Sequence, residues 1–373
     1  MKLSTILNRE NNNLDLIRII LACLVIVGHA PVLNGADGWV DPFTYLFKFT
    51  DSGAIAVKLF FFISGLVVTN SLIHKESVIH FVISRVFRLI PVLLFVLVIT
   101  VFIFGLALTT LSSANYFSNL NHLSYIFDNL ILKTQYTLPG VFAANTYPLV
   151  VNGSLWSLSY EVGCYAALLG TYLLLQGQHY KYWKYIFFVI LADTLLPNRI
   201  IFSWLGNNPD FYLLPVIFSF GVFCAIYAHK ITIDLKLLAG MCLISYLFKN
   251  TAYAQISFML TACIAIIYIS SNKQLLSFKP RYDISYGIYL WGFLIQQSLF
   301  QHFGHLAVGI HCLLAIVISM ALALITHIII EKPFMDIGKH FYKVIEYKYF
   351  LYRKAPDLQS VKVVNNIQEG IEN

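Results

Sequence analysis

The chain has 373 residues, of which 58% are apolar and only 12% charged, with a mean hydropathy of +0.73. Soluble globular domains carry about 25% charge, so this composition excludes an ordinary water-soluble enzyme, and its wealth of apolar residues excludes intrinsic disorder. The formal net charge of +7 does not mark a nucleic-acid binder, because the basic residues stand singly between apolar runs instead of forming a patch.

Long unbroken apolar runs, without the weak alternation of a barrel, predict an all-α polytopic membrane protein. In chain order the runs predict about ten transmembrane helices, at 14–33, 55–73, 89–110, 154–175, 185–205, 211–228, 236–248, 253–270, 284–303 and 308–330. Pro197 and Asn198 interrupt the fifth, and the seventh is short for a hydrocarbon core of ~30 Å. Residues 1–13 read as a cytoplasmic segment, 14–335 as the membrane domain and 336–373 as a cytoplasmic tail, loosely ordered after about 345. The first apolar run follows a polar stretch and precedes further spans, so it reads as a retained helix and not a signal peptide. With both termini cytoplasmic, only Lys48, Lys58, Lys133, Arg199 and Lys249 of the 25 Lys and Arg lie on the outer side, as the positive-inside rule requires. The six cysteines show neither CxxC pairs nor metal-ligand spacing, which points to helix packing and to no metal.

Two outer loops, 34–54 and 111–153, are rich in Asn, Ser, Thr, Tyr and Phe and poor in charge. That chemistry suits stacking on a neutral or weakly charged sugar, and it equally suits an interfacial aromatic belt.

Ionisable residues inside spans are costly, so each is a functional candidate. Arg18 and His29 of the first helix are eleven residues apart, which returns them to one helix face ~16 Å apart along the axis. Ala22 and Val25 lie between them on that face and would leave a groove. The fourth helix opens with Ser154, Ser157 and Glu161 as one polar stripe beside Tyr160. If that helix enters from outside, Glu161 reaches the depth of His29, and such a carboxylate–imidazole pair can accept a proton from a hydroxyl. Arg85 and Arg88 stand three apart at a predicted helix entrance, a spacing suited to phosphate but also expected of a cytoplasmic loop. On the ninth helix Ser285, Tyr289, Gly292 and Gln296 share a face, and the tenth closes on Glu331-Lys332-Pro333. His311 and His327 read as structurally satisfied.

Six features carry a resemblance: Arg18-x10-His29, Phe60-Phe61-x-x-Ser64-Gly65, Arg85-x-x-Arg88, the Ser-Leu-Trp-Ser-Leu-Ser-Tyr-Glu run at 154–161, the Ser-Tyr-x-Ile-Tyr-Leu-Trp run at 285–291, and Glu331-x-Pro333. In that order, over about 15–335, the chain resembles the acyltransferase-3 family of bacterial integral-membrane O-acyltransferases. Where many members carry a polar residue after the Tyr-Leu-Trp run, this chain has Gly292.

The resemblance implies transfer of an acyl group, usually acetyl from acetyl-CoA, to a sugar hydroxyl of an outward-facing glycan or lipid-linked saccharide such as lipopolysaccharide O-antigen. It implies location in the bacterial inner membrane, among membrane lipids. Arg18, Arg85 and Arg88 would hold the donor's phosphates, and His29 backed by Glu161 would activate the acceptor. Ser154, Ser157, Tyr160 and Tyr289 would be substrate or oxyanion ligands. Direct attack in a ternary complex and a transient acyl-imidazole both fit, the first being preferred. The competing class is a polysaccharide-precursor exporter or flippase using Arg18, His29 and Glu161 as a proton relay.

Overall fold

The structure, a computed structural model, describes residues 1–35, 39–118, 121–175, 182–304 and 306–359, with side chains to residue 347. Each predicted run contains a helix: α1 Leu14–Asn34, α2 Ser52–Lys75, α3 Val78–Ile99, α4 Trp156–Leu174, α5 Trp183–Leu195, α6 Pro209–Ile226, α7 Leu235–Phe248, α8 Ala254–Ser270, α9 Ser285–Phe303 and α10 Val308–Thr326. An eleventh, α11, spans Lys332–Gln359. Among the described residues five segments are long and apolar enough to cross a membrane, namely Leu14–Asn34, Ser52–Lys75, Val78–Leu108, Pro209–Ile226 and Val308–Tyr347. The chain is a multi-pass membrane protein.

Side-chain caps set several helix starts. The Asn13 Oδ1 accepts from the Leu16 amide, Asp51 from Ala54, and Ser77 from His80, each satisfying a donor the helix leaves open. The Ser77 cap also accounts for a correction. α3 begins at Val78, so Arg85 and Arg88 lie on its inner turns and not in a loop; arginine is a good helix former, and a charge-based boundary falls too late. α5 ends at Leu195, just before Pro197, whose ring disfavours helix at the preceding residue. The rest of that run is a loop gathered by the Asp193 carboxylate, which accepts from the amides of Ile200, Ile201 and Phe202 at 2.7–3.1 Å. A π-turn over His327–Glu331 joins α10 to α11, so helix persists to Gln359 where loose order was expected. Residues 176–181 and 360–373, both counted in the charge argument, lie outside the described residues.

The polar N-terminal segment is docked. Leu3 and Ile6 are fully buried, the Leu3 amide donates to Ile231 and the Ile233 amide to Met1, and Asn13 Nδ2 donates to the Leu275 carbonyl.

α2 is the central helix. At its crossing with α6 a Cβ on Gly65 would lie 2.2 Å from the Phe218 carbonyl oxygen, and one on Gly221 2.3 Å from that of Phe62. The backbones therefore touch, the way membrane helices pack when no hydrophobic drive separates them from lipid. α1 meets the N-terminal end of α2 in the same manner, since a Cβ on Gly28 would lie 2.3 Å from the Gly53 nitrogen. The loop 111–153 is welded to α9 by Gln297, whose side chain donates to the Tyr147 and Val150 carbonyls and accepts from Asn145.

Candidate active site

The close approach of Gly28 to Gly53 sets His29 beside the N-terminal end of α2, against a cavity of about 700 Å³, called the outer cavity because it lies on the side the sequence expects to face outward. The His29 ring meets Phe293 edge-on, with centroids 5.2 Å apart. Among the described residues its ring nitrogens have no hydrogen-bond partner, which leaves them free for a ligand. The same cavity is walled by Trp156, Tyr160 and Phe211, by Tyr136 and Tyr147 of the outer loop, and by Asp51, Lys58 and Asp210. Tyr160 lies nearly parallel to Phe211 at 5.6 Å, and Trp156 meets that ring edge-on at 5.0 Å. Lys58 is 1% exposed; its Nζ donates to Asp210 at 2.6 Å.

A second, inner cavity of about 140 Å³ is lined by Arg18, Arg85 and Arg88 with Ser157, Glu161, Tyr165, Tyr286 and Tyr289. Here a chain of charges runs across four segments. Asp283, just before α9, accepts from Arg18 at 3.2 Å and Arg88 at 2.9 Å. Arg18 also pairs with Asp15 at 3.3 Å. Arg88 Nε lies 3.9 Å from the buried Glu331, which pairs with His327 at 2.8 Å. Burial alone would raise the Asp283 carboxyl, but the two guanidiniums and the bonds from Ser285 outweigh it and bring the carboxyl down to about 2. Arg85 is different. It faces Tyr165 and Glu161 and, among the described residues, makes no direct ion pair. Glu161 is itself held by Ser64, 3.1 Å away, and by a short bond from Tyr165.

The depressed Asp283 carboxyl gives a pH-dependent prediction. A group whose folded value lies below its ordinary one stabilises above that ordinary value, and this contribution is lost as pH falls toward the folded one. Asp283→Asn is expected to cost about 3 kcal/mol at neutral pH, since it removes the carboxylate that two guanidiniums share. The gap in melting temperature between wild type and variant should hold down to about pH 4 and shrink from there toward pH 2. A gap that stays constant across that range would contradict the assignment.

The two cavities stand back to back, with Val57 and Tyr289 in the walls of both. The Tyr289 hydroxyl donates to the Ser154 carbonyl at 2.7 Å and lies 2.6 Å from Ser157 Oγ, so the partition is pinned to the start of α4. This differs from the continuous groove expected along α1. Val25 faces the outer cavity, but Ala22 is fully buried in the packing between helices.

A second difference concerns Glu161, which the structure does not bring beside His29. The cause is the depth at which α4 starts. Asn152 Nδ2 donates to the Leu290 carbonyl within α9 at 2.8 Å, and Asn152, Ser154 and Leu155 are buried, so α4 opens inside the protein and not at its surface. Two turns further Glu161 has passed Tyr289 and joined the arginines. The expected stripe divides accordingly: Ser157 and Glu161 line the inner cavity, Tyr160 the outer one, and Ser154 is buried behind the partition without lining either. Gly292 seats α9 on α1, since a Cβ there would lie 2.8 Å from Ile26 Cγ1.

Sequence reasoning missed Asp283, Lys58, Asp210, Tyr165 and the catch between His327 and Glu331. Lys58 carried a readable signal, a lysine inside an apolar run, and so did Glu331 next to a predicted helix end; Asp283 carried none beyond its place before Ser285.

Residues 11–331 match the family described as an acyltransferase domain. The chain is 30% identical over 344 residues to a protein named O-acetyl transferase from Shigella phage Sf6, covering 87% of this chain and 96% of that one. It is 28% identical over 380 residues to Nodulation protein 10 of Rhizobium leguminosarum bv. viciae, covering 88% and 94%. No solved structure matches it. With the family's domain spanning both cavities and every helix that builds them, the chain belongs to the acyltransferase-3 family.

Proposed function

We propose that the protein is an O-acetyltransferase of the bacterial inner membrane, with both termini cytoplasmic. It takes the acyl group from acetyl-CoA at the inner cavity and delivers it to a sugar hydroxyl of a surface polysaccharide, such as lipopolysaccharide O-antigen, at the outer one. The observation that carries this reading is the pairing itself: an arginine-lined cavity and a histidine-lined, aromatic cavity share one thin wall. At about 140 Å³ the inner cavity falls below the ~300–1,000 Å³ of sites that engulf a drug-sized ligand. It therefore suits the thioester end of the donor, with the nucleotide remaining at the mouth.

In the proposed reaction a neutral His29 nitrogen accepts the proton of the acceptor hydroxyl as its oxygen bonds to the thioester carbonyl carbon. The carbon–sulfur bond then breaks, the electron pair leaves with the CoA sulfur, and the proton passes from His29 to that sulfur. Ser157 and Tyr289 stand at the partition, where the Tyr289 hydroxyl, once released from Ser154, can donate to the carbonyl oxygen as it gains charge. Glu161 serves the donor side, ordering Tyr165 and the nearby Arg85.

Purified protein given acetyl-CoA should release CoA thiol only when a glycan acceptor is added. Absence of release with every glycan tried, in protein that remains folded, would contradict acyl transfer and favour export.

A further inference from the structure

The outer cavity carries more charge than its role as an acceptor site requires, and the inference below rests on that role. Among the described residues its charged lining consists of Asp51, Asp210 and Lys58. Lys58 is buried and spent on one oxygen of Asp210, with a second bond to the Ala54 carbonyl at 3.3 Å. Asp210 is 41% exposed and lines the cavity, with one oxygen engaged by Lys58. Behind this rim Asp41, 3% exposed, accepts from Phe43, Thr44 and Ser52 through one oxygen. Its second oxygen is buried without a partner. The cavity lining thus holds two carboxylates to one ammonium, with a third carboxylate, Asp41, near Asp51 behind it. The N-termini of α2 and α6 add partial positive charge here, but Asp51 and Asn208 already cap their leading amides. Burial foremost, with the neighbouring Asp210 and Asp41 adding to it, raises the Asp51 carboxyl above its ordinary value.

The remaining wall is aromatic: Trp156, Tyr160 and Phe211 form one packed group beside Asp210. Carboxylate oxygens accept hydrogen bonds and cannot donate them, so they suit a ligand rich in hydroxyl donors. A ring face suits the apolar face of a sugar. A ligand bearing its own carboxylate would meet like charge in a partly desolvated pocket, an arrangement that rejects wrong partners. We infer that the outer cavity selects sugar acceptors that carry no negative charge, and that Asp210, held in place by Lys58, enforces the selection.

Three forms of one oligosaccharide acceptor test this with wild-type protein and acetyl-CoA: a neutral hexose form, its uronic acid counterpart, and the methyl ester of that uronic acid. The uronic acid form should be used at least about tenfold less efficiently than the neutral one, and esterification should restore most of the difference. Asp210→Asn should narrow the ratio between neutral and uronic forms about tenfold. Because that variant strands Lys58, Asp51→Asn provides a second readout in the same direction. Equal use of neutral and uronic forms would overturn the inference, as would equal rejection of the ester, which would make size and not charge the determinant. No transfer to any of the three forms would instead count against the acyltransferase reading of the cavity.

Discussion

Replacing His29 by alanine is expected to lower acyl transfer by about 10²- to 10⁴-fold, the range removed with a general base, while the protein still inserts and folds. The ring lines the outer cavity and touches Phe293 at its edge, so its loss removes little packing. Its nitrogens hold up no other part of the fold among the described residues. The measurement is the rate of acetyl-glycan formation by the purified variant, with melting temperature as the control. Transfer at the wild-type rate would remove His29 from the chemistry. A burst of acyl-enzyme in wild type without acceptor would convert the proposed base into a nucleophile.

The second large effect separates three arginines that the sequence presents as equivalent. Arg18 and Arg88 are already paired with Asp283, and Arg88 also leans on Glu331; Arg85 has no such pair among the described residues. A charge-assisted hydrogen bond to a donor phosphate contributes about 1.5–3 kcal/mol. Arg85→Ala is therefore expected to raise the KM for acetyl-CoA roughly 10- to 150-fold, with kcat and melting temperature nearly unchanged. Arg88→Ala is expected to act differently: it leaves Asp283 with Arg18 alone and takes the guanidinium from beside the buried Glu331, so stability falls by about 3 kcal/mol. Equal loss of stability in both variants would contradict this division, and so would an unchanged KM in Arg85→Ala.

The helices were legible because apolar runs of span length have few other solutions in a bilayer. The one-face relation of Arg18 to His29 was legible as well, since helix periodicity is rigid. Depth was not. The place where α4 starts is held by tertiary bonds to α9, from Asn152 to the Leu290 carbonyl and from Tyr289 to Ser154 and Ser157, and no local pattern encodes them. With α4 started there, Glu161 lies on the other side of the partition from the one expected. The docking of residues 1–13 was equally hidden, because Leu3 and Ile6 are two apolar residues in a polar stretch. Arg85 and Arg88 were visible as a pair, but their different roles depend on Asp283, 195 residues further along the chain from Arg88.

The claim that the acyl group crosses the wall between the two cavities is tested most directly in sealed proteoliposomes of uniform orientation. Labelled acetyl-CoA is placed on the side of the arginine cavity, and a membrane-impermeant neutral oligosaccharide on the side of His29. Label is expected on the oligosaccharide while CoA stays where it began, and exchanging the two sides should abolish transfer. Label appearing only when both substrates share one compartment would contradict the account.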